Sequence, residues 1–386
     1  MCTWEMDTVK RIKKYLVFFA LIVSFSIFGC GCSGNKSDPE VAQQKETEGL
    51  KIGMSFDSFV IERWLRDRDF FELTAKNLGA EVNVQVANGD PQEQISQIQY
   101  FMKKNVDVIV VIAVDGEDIS QIVSEARKQG IRVISYDRLV MNAGTDLYIS
   151  FDNEKVGTLM GEALCDALPG GGNIFAIYGS PKDHNVSMVE KGFKDVIEDS
   201  NLKIVYSKYC DNWLAELAFE AVEEGLSSTP RNLAGVMCGN DDLAGQAFRA
   251  LAENRLAGKV VLVGQDAELS ACQRIVEGTQ TMTVYKPVEQ LAKKTAEFAA
   301  ALGYQKMTEE GRITEKDVPE TVLKVQKELE GLDTINDGTN DVPYYGIDPI
   351  PVTAENIDEV IIGSDFHTEE DVYLNVRKMN EKNDGQ

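Results

Sequence analysis

Residues 259–266 read KVVLVGQD, an unbroken apolar run that ends on polar residues. The same form recurs at 131–137 (IRVISYD), 173–179 (NIFAIYG), 233–241 (LAGVMCGND) and 281–286 (TMTVYK). Continuous Val/Ile-rich runs imply strands buried on both faces, hence a parallel sheet covered by helices. In such a sheet the ligand crevice lies outside the carboxyl ends of the strands. Asp137, Arg138, Asp183, Asn185, Asn240, Asp241, Asp266 and Lys286 fall at or just past those ends. Polar groups gathered there point to a small, hydroxyl-rich ligand. A lone Asp or Asn in such a place is more often only a helix N-cap. Arg138 and Lys286 are not cap residues, so the set as a whole asks for a further reason.

Working outward, apolar runs alternate with amphipathic stretches from Leu50 to about Gly303. The runs KIGMSF (51–56), EVNVQVA (81–87) and DVIVVIAV (107–114) are separated by helical patterns at 64–78, 91–104 and 118–129. Gly79 and Gly130 stand where C-terminal cap glycines belong, and Pro91 stands in a first helical turn. About four strand–helix units precede Tyr148, and a second series follows YISFDN (148–153). Periodicity alone leaves open whether one sheet or two holds them. The acidic stretch 304–341 reads as a surface insertion, with a short helical pattern at 322–329 and a turn at Asn336-Asp337-Gly338. Residues 366–386 are very polar and are expected to fray.

Lys10, Arg11, Lys13 and Lys14 precede an apolar run at 15–28, in the form of an export signal. The run closes on Ile27-Phe28-Gly29-Cys30, which resembles a bacterial lipobox, so residues 1–32 are expected to be a lipoprotein leader with Cys30 as the lipidated residue. Cys32 is the alternative acceptor, and an uncleaved membrane anchor is the alternative to processing. Residues 33–49 hold too little apolar surface to fold and read as a flexible tether.

The 386-residue chain is long enough for two lobes with sizeable cores. Its formal net charge of −24 argues against nucleic acid as a partner. Cys165, Cys210, Cys238 and Cys272 are widely spaced within apolar runs, which favours buried thiols over a metal site. With only His184 and His367 present, and no HExxH, GxSxG or Walker motif, catalysis is not expected, nor is a metal or cofactor.

ERWLRDRD, QISQI, YDRL, YISFDNEKVG, GSPKDHN, GQDAEL and GTQTMTVYKP, in that order, resemble the periplasmic D-xylose-binding proteins. These are a branch of the ribose/galactose-type sugar-binding proteins that serve ABC importers. YDR, FDN, GSP and GQDAE are shared with multi-sugar binders, while ERW and TVYKP lean towards the xylose branch. The resemblance implies a periplasmic-binding-protein type I fold of the α/β class: two Rossmann-like doubly wound lobes joined by a three-segment hinge. Lobe one would hold 50–150 and 287–303. Lobe two, with the hinge crossings, would hold 151–286 and 342–365. By motif, the resemblance carries ligand contacts onto Arg63 and Trp64 (ERW), Asp137 and Arg138 (YDR), Asp183 and Asn185 (GSPKDHN), Trp213, Asn240 (GND), Asp266 (GQD) and Lys286 (YKP). His184 stands where the family often has Asn. A pyranose has an apolar C–H face for an aromatic ring and hydroxyls for Asp, Asn and Arg.

The expected partners are a monosaccharide and an ABC permease, with the membrane reached through the lipid anchor and the protein acting as a monomer. A sensor kinase or chemoreceptor could read the same closed form instead. A sugar-active enzyme would show turnover, and a transcriptional regulator of related fold would need a helix-turn-helix ahead of Leu50.

Overall fold

The computed structural model describes residues 49–376, apart from Glu62, Pro230 and Arg231. The expected leader with Cys30, the tether up to residue 48 and residues 377–386 lie outside the described residues. The chain opens with β1 (Leu50–Phe56), α1 (Arg63–Asn77), β2 (Ala80–Val86), α2 (Pro91–Lys103), β3 (Val108–Val111), α3 (Ser120–Lys128), β4 (Arg132–Tyr136) and β5 (Leu147–Phe151). It continues with α4 (Asn153–Ala167), β6 (Gly172–Tyr178), α5 (His184–Glu198), β7 (Leu202–Tyr209), α6 (Glu216–Ser228), β8 (Leu233–Cys238), α7 (Asp241–Glu253), β9 (Val261–Gln265), α8 (Leu269–Val276) and β10 (Met282–Tyr285). It ends with α9 (Val288–Glu309), α10 (Glu320–Leu329), β11 (Asp333–Asn336), β12 (Asp341–Ile347), β13 (Ile350–Val352) and α11 (Glu369–Val372).

These strands form two sheets, so the question that periodicity left open resolves into two lobes. The first sheet has the order β11-β12-β5-β4-β3-β1-β2, and the second β13-β10-β9-β8-β6-β7. Each lobe has one antiparallel strand at its edge, β11 or β13; the other pairings are parallel. Within each sheet the first five strands of the lobe repeat one doubly wound order, 2-1-3-4-5, which places a crevice at the carboxyl ends beside the first strand. The chain passes between sheets after Phe151, after β10 and between β12 and β13, which makes the three-segment hinge.

β3 shows why the runs are apolar: all four of its residues are buried, with helices on both faces. α9 covers the other side of the first lobe through Leu291, Ala292, Ala296, Phe298, Ala299 and Ala300. Its small residues let it lie close to the sheet. A Cβ on Gly303 would come within 2.2 Å of Leu50 Cδ1. Burying a side chain the size of Phe298 contributes about 2–3 kcal/mol.

Three expectations for the C-terminal region are corrected. Residues 304–341 are not a surface insertion. α9 runs on to Glu309, and Lys306 and Arg312 both pair with the buried Asp107 at the foot of β3. Val322 of α10 is buried, and β11 pairs with β12, which pairs with β5. So residues 342–347 extend the first sheet, and only β13 joins the second. The acidic character of the stretch reflects its solvent face and hid the few apolar residues that anchor it. Residues 366–376 are also tied down: Phe366 and Val372 are buried, and Arg66 Nη2 donates to Phe366 O at 2.7 Å. Cys210, Cys238 and Cys272 are buried free thiols, and Cys165 is half-buried.

Asp337, in the β11–β12 turn, is a buried staple. Its carboxylate accepts from the backbone N–H of Ala143 (2.9 Å), Gly144 (2.6 Å), Thr339 (3.0 Å) and Asn340 (2.7 Å). Burial pushes its pKa up, but the backbone N–H donors outweigh this and hold it below the ordinary value. A depressed carboxylate stabilises the fold above its unfolded pKa of about 3.9, and that contribution is lost as pH falls through the folded value. Asp337→Ala should cost about 2 kcal/mol in urea unfolding at pH 7, and the gap to the parent should narrow as pH drops below about 4.

Candidate functional site

The fourth strand of each lobe ends in the same way. β4 stops at Tyr136 and β9 at Gln265, and the next residue, Asp137 or Asp266, takes a positive φ of 61° or 93°. Each keeps its backbone N–H on the fifth strand: Asp137 donates to Ile149 O and Asp266 to Val284 O, both at 2.8 Å. A left-handed non-glycine residue costs on the order of 1 kcal/mol or more, and it persists where its surroundings over-determine it. Here the bend places both carboxylates on the wall of one inter-lobe cavity.

Arg63, the first residue of α1, lies between them. Its Nη2 donates to Asp137 at 2.7 Å and to Asp67, one turn along, at 3.3 Å, while its Nη1 is 3.8 Å from Asp266. Burial disfavours the guanidinium charge, yet Asp137, Asp67 and Asp266 together hold its pKa well above the ordinary value. Asp67 also accepts from Tyr136 OH, and burial raises its pKa. Lys286, just past β10, is 2.9 Å from Asp266. For Asp137, burial works against the charged form, but Arg63, Lys286 and Arg138 outweigh it and keep the carboxyl below its usual range. Asp137 is therefore an ionised acceptor.

Arg138 makes the second cluster. Its Nη1 donates to Asp57 at 2.6 Å and to Ala113 O at 3.0 Å. Its Nε is 2.8 Å from Asp183, an ion pair lying off the line of a well-formed hydrogen bond. Burial raises the pKa of Asp57 and Asp183 despite Arg138, whose own pKa is raised by the two carboxylates against burial. The other oxygen of Asp183 caps α5, accepting from Asn185 N–H at 3.0 Å. Asn185 in turn donates through Nδ2 to Asp137 O at 2.9 Å and accepts from Tyr148 OH at 3.1 Å.

Two tryptophans supply the apolar surface. Trp64 is buried, with the Arg63 guanidinium 4.3 Å from its ring centre and Phe56 edge-on at 6.3 Å. Trp213 follows Asn212 in a turn where both take positive φ, 52° and 57°. Its ring rests on Gly179, where an added Cβ would come within 2.2 Å of it.

Arg63, Trp64, Asp137, Arg138, Asp183, Asn185, Trp213, Asp266 and Lys286 all line this cavity, of about 470 Å³ counting the part open to solvent. Asn240 does not line it. Its Oδ1 is taken as the N-cap of α7, accepting from Leu243 N–H at 2.9 Å, and the neighbouring Gly239 faces the cavity instead.

Tyr178, Gln265 and Asn153 also line the cavity, and Asp57 braces Arg138 beside it; sequence reasoning did not single these out. A signal existed for three of them. Asp57 follows β1 as Asp137 follows β4, and Tyr178 and Gln265 close otherwise apolar strands. The indole N–H groups of Trp64 and Trp213, the Tyr178 hydroxyl and Gln265 Oε1 are buried without a hydrogen-bond partner among the described residues. Buried polar atoms are nearly always paired, so several on one cavity wall mark a place built to receive polar groups. Among the described residues, no group of His, Cys, Asp and Glu is arranged to hold a metal ion.

Residues 52–306 match the periplasmic binding protein domain family, and the chain belongs to that family. It is 43% identical over 331 residues to the D-xylose-binding periplasmic protein of Haemophilus influenzae, covering 85% of this chain and 93% of that one. It is 40% identical over 327 residues to the protein of the same name from Escherichia coli K12, covering 84% and 92%. A solved ABC transporter solute-binding protein from Clostridium phytofermentans, with bound β-D-glucose, superposes with a TM-score of 0.70 at 25% identity, over 83% of this chain and 99% of that one.

The packing of Trp213 on Gly179 can be checked directly. In a Trp64→Phe background, Gly179→Ala should shift the tryptophan emission and destabilise the fold by about 1–3 kcal/mol, because the ring has to leave its seat.

Proposed function

We propose that this chain is an extracytoplasmic solute-binding lipoprotein that captures a monosaccharide, D-xylose above others, between its lobes and delivers it to an ABC importer. The observation that carries the reading is the inter-lobe cavity, with unpartnered buried polar atoms and two indoles set among carboxylates and cations. A pyranose matches that wall: its C–H face suits an indole and its hydroxyls both donate and accept. Trp213 would stack on the sugar; Asp137 and Asp266 would accept from its hydroxyls; Arg63, Trp64, Arg138, Asn185 and Lys286 would donate to them. Asn240 would contribute only as a donor, since its oxygen is committed to a helix cap while its Nδ2 is buried without a partner among the described residues. Xylose is favoured because the relatives from Haemophilus influenzae and Escherichia coli, 43% and 40% identical, both carry that name. The protein works as a binder and not as an enzyme, as a monomer, and is held to the membrane by a lipid on Cys30. Closure of the lobes around sugar would be the state that the permease recognises.

Isothermal calorimetry of the purified protein against D-xylose, L-arabinose, D-ribose, D-glucose and D-galactose tests the ligand. D-xylose should bind roughly 5- to 150-fold more tightly than D-glucose, whose extra hydroxymethyl group overfills a closed pentose site at a cost of roughly 1–3 kcal/mol. Equal or tighter glucose binding would reassign the sugar; no binding of any aldose would remove the sugar reading.

Anchoring is tested separately. Cys30→Ala should abolish incorporation of radiolabelled fatty acid and leave uncleaved precursor, whereas loss of label only in Cys32→Ala would move the acceptor to Cys32.

A further inference from the structure

We infer that Asp57, Arg138 and Asp183 form a clasp between the lobes, one that seals the inner cavity from a second, outer cavity and sets how long the cleft stays shut. The inference rests on the binding-protein reading above and adds a task for Arg138, which it treats only as a sugar contact, and for Asp57 and Asp183, to which it gives no contact.

Arg138 belongs to lobe one and is fixed there. Asp57, just past β1, accepts from its Nη1 at 2.6 Å, and Ala113 O, just past β3, accepts from the same nitrogen at 3.0 Å. The contact that leaves the lobe is Nε to Asp183, at 2.8 Å. Asp183 is fixed in lobe two by its other oxygen, which caps α5. Each half of the clasp is thus held by its own lobe, and neither half has to rearrange when the lobes meet. Both side chains are about 5% exposed. Beside them Asn185, also from the start of α5, donates to Asp137 O and accepts from Tyr148 OH of lobe one, so the mouth of α5 is where the lobes touch.

The clasp stands in a wall. The outer cavity, about 580 Å³ with its open part, is lined from lobe one by Asp57, Ser58 and Asn88 and from lobe two by Ser180 and Asn212. Arg138, Asp183 and Trp213 line both cavities. Opening the lobes would part Arg138 from Asp183, while the Asp57 contact would stay. A neutral sugar cannot replace a buried charge partner, and a buried pair with one member removed loses most through faster dissociation. The clasp should therefore act on every ligand alike, unlike a contact to one hydroxyl, which would discriminate between sugars.

The test uses the full-length protein with Asp183→Ser, in which serine still caps α5 but is too short to reach Arg138, and with Asp183→Asn, which keeps cap and volume and removes the charge. Stopped-flow release should be roughly tenfold or more faster in Asp183→Ser, by the same factor for each sugar that the parent binds, with Asp183→Asn in between. Small-angle scattering of the sugar-free protein should show a larger radius of gyration for Asp183→Ser than for the parent. Unchanged release, or a loss confined to one sugar with the radius unchanged, overturns the clasp. If the parent binds no sugar, the sugar reading fails by itself, and the scattering comparison alone decides: equal radii overturn the clasp. If Asp183→Ser does not fold, the same readouts on Asp183→Asn decide.

Discussion

The guanidinium of Arg63 sits between two aspartates that occupy equivalent places in the two lobes. Asp137 and Asp266 each follow the fourth strand, each bend into positive φ, and each keep one hydrogen bond to the fifth strand. Two carboxylates facing each other in a buried cleft would repel and would lose their hydration. Arg63 and Lys286 remove that cost, and Asp67 holds Arg63 from behind. Taking Arg63 away would leave Asp137 without its nearest cation and Asp67 buried beside Tyr136. The inner face of the cleft depends on this arrangement more than on any single apolar contact.

The symmetry has a structural origin. Both sheets follow one doubly wound strand order, so each presents its carboxyl ends to the other across the hinge. Neither lobe encloses the site alone: lobe one brings Arg63, Asp137 and Arg138, and lobe two brings Asp183, Asn185, Trp213 and Asp266. A site split in this way is complete only when the lobes are together, which is the physical basis for linking occupancy to shape. The cations of the cavity all have carboxylate partners, so the wall offers directed donors and acceptors with little unbalanced charge. That suits neutral polyhydroxy ligands better than ions.

Strained backbone also occurs at the same place. Asn212, Trp213, Asp137, Asp266 and Ala267 all have positive φ, and all lie on or beside the cavity. Such residues cost stability and are kept where position matters more than local comfort. Trp213 shows the compensation: its turn is held by Trp213 N–H donating to Cys210 O at 3.1 Å, and its ring is seated on a residue with no side chain.

The parallel sheets were legible in the chain because a strand buried on both faces has to be apolar along its whole length, as 108–111 and 261–263 are. The strand ends were legible because polar residues there break that rule, which exposed Asp137, Asp266 and Lys286. Helix starts were legible through Asp90-Pro91, whose side chain caps α2. Other features depend on what comes together in space. Residues 304–341 look like an acidic surface stretch, yet β11 within it and β12, which begins at its end, complete the first sheet, because pairing with β5 is a contact across nearly two hundred residues. Asp57 and Asp183 are ordinary strand-end and cap residues until Arg138 is placed between them. Asn240 carries the same local signal as Asp183, but its oxygen goes wholly to a cap while Asp183 keeps one oxygen for the cleft. Local pattern determines which residues are buried and which groups need partners, since that follows from periodicity and hydration; which partner each group receives is decided by the docking of two lobes, a long-range event that no stretch of chain encodes by itself.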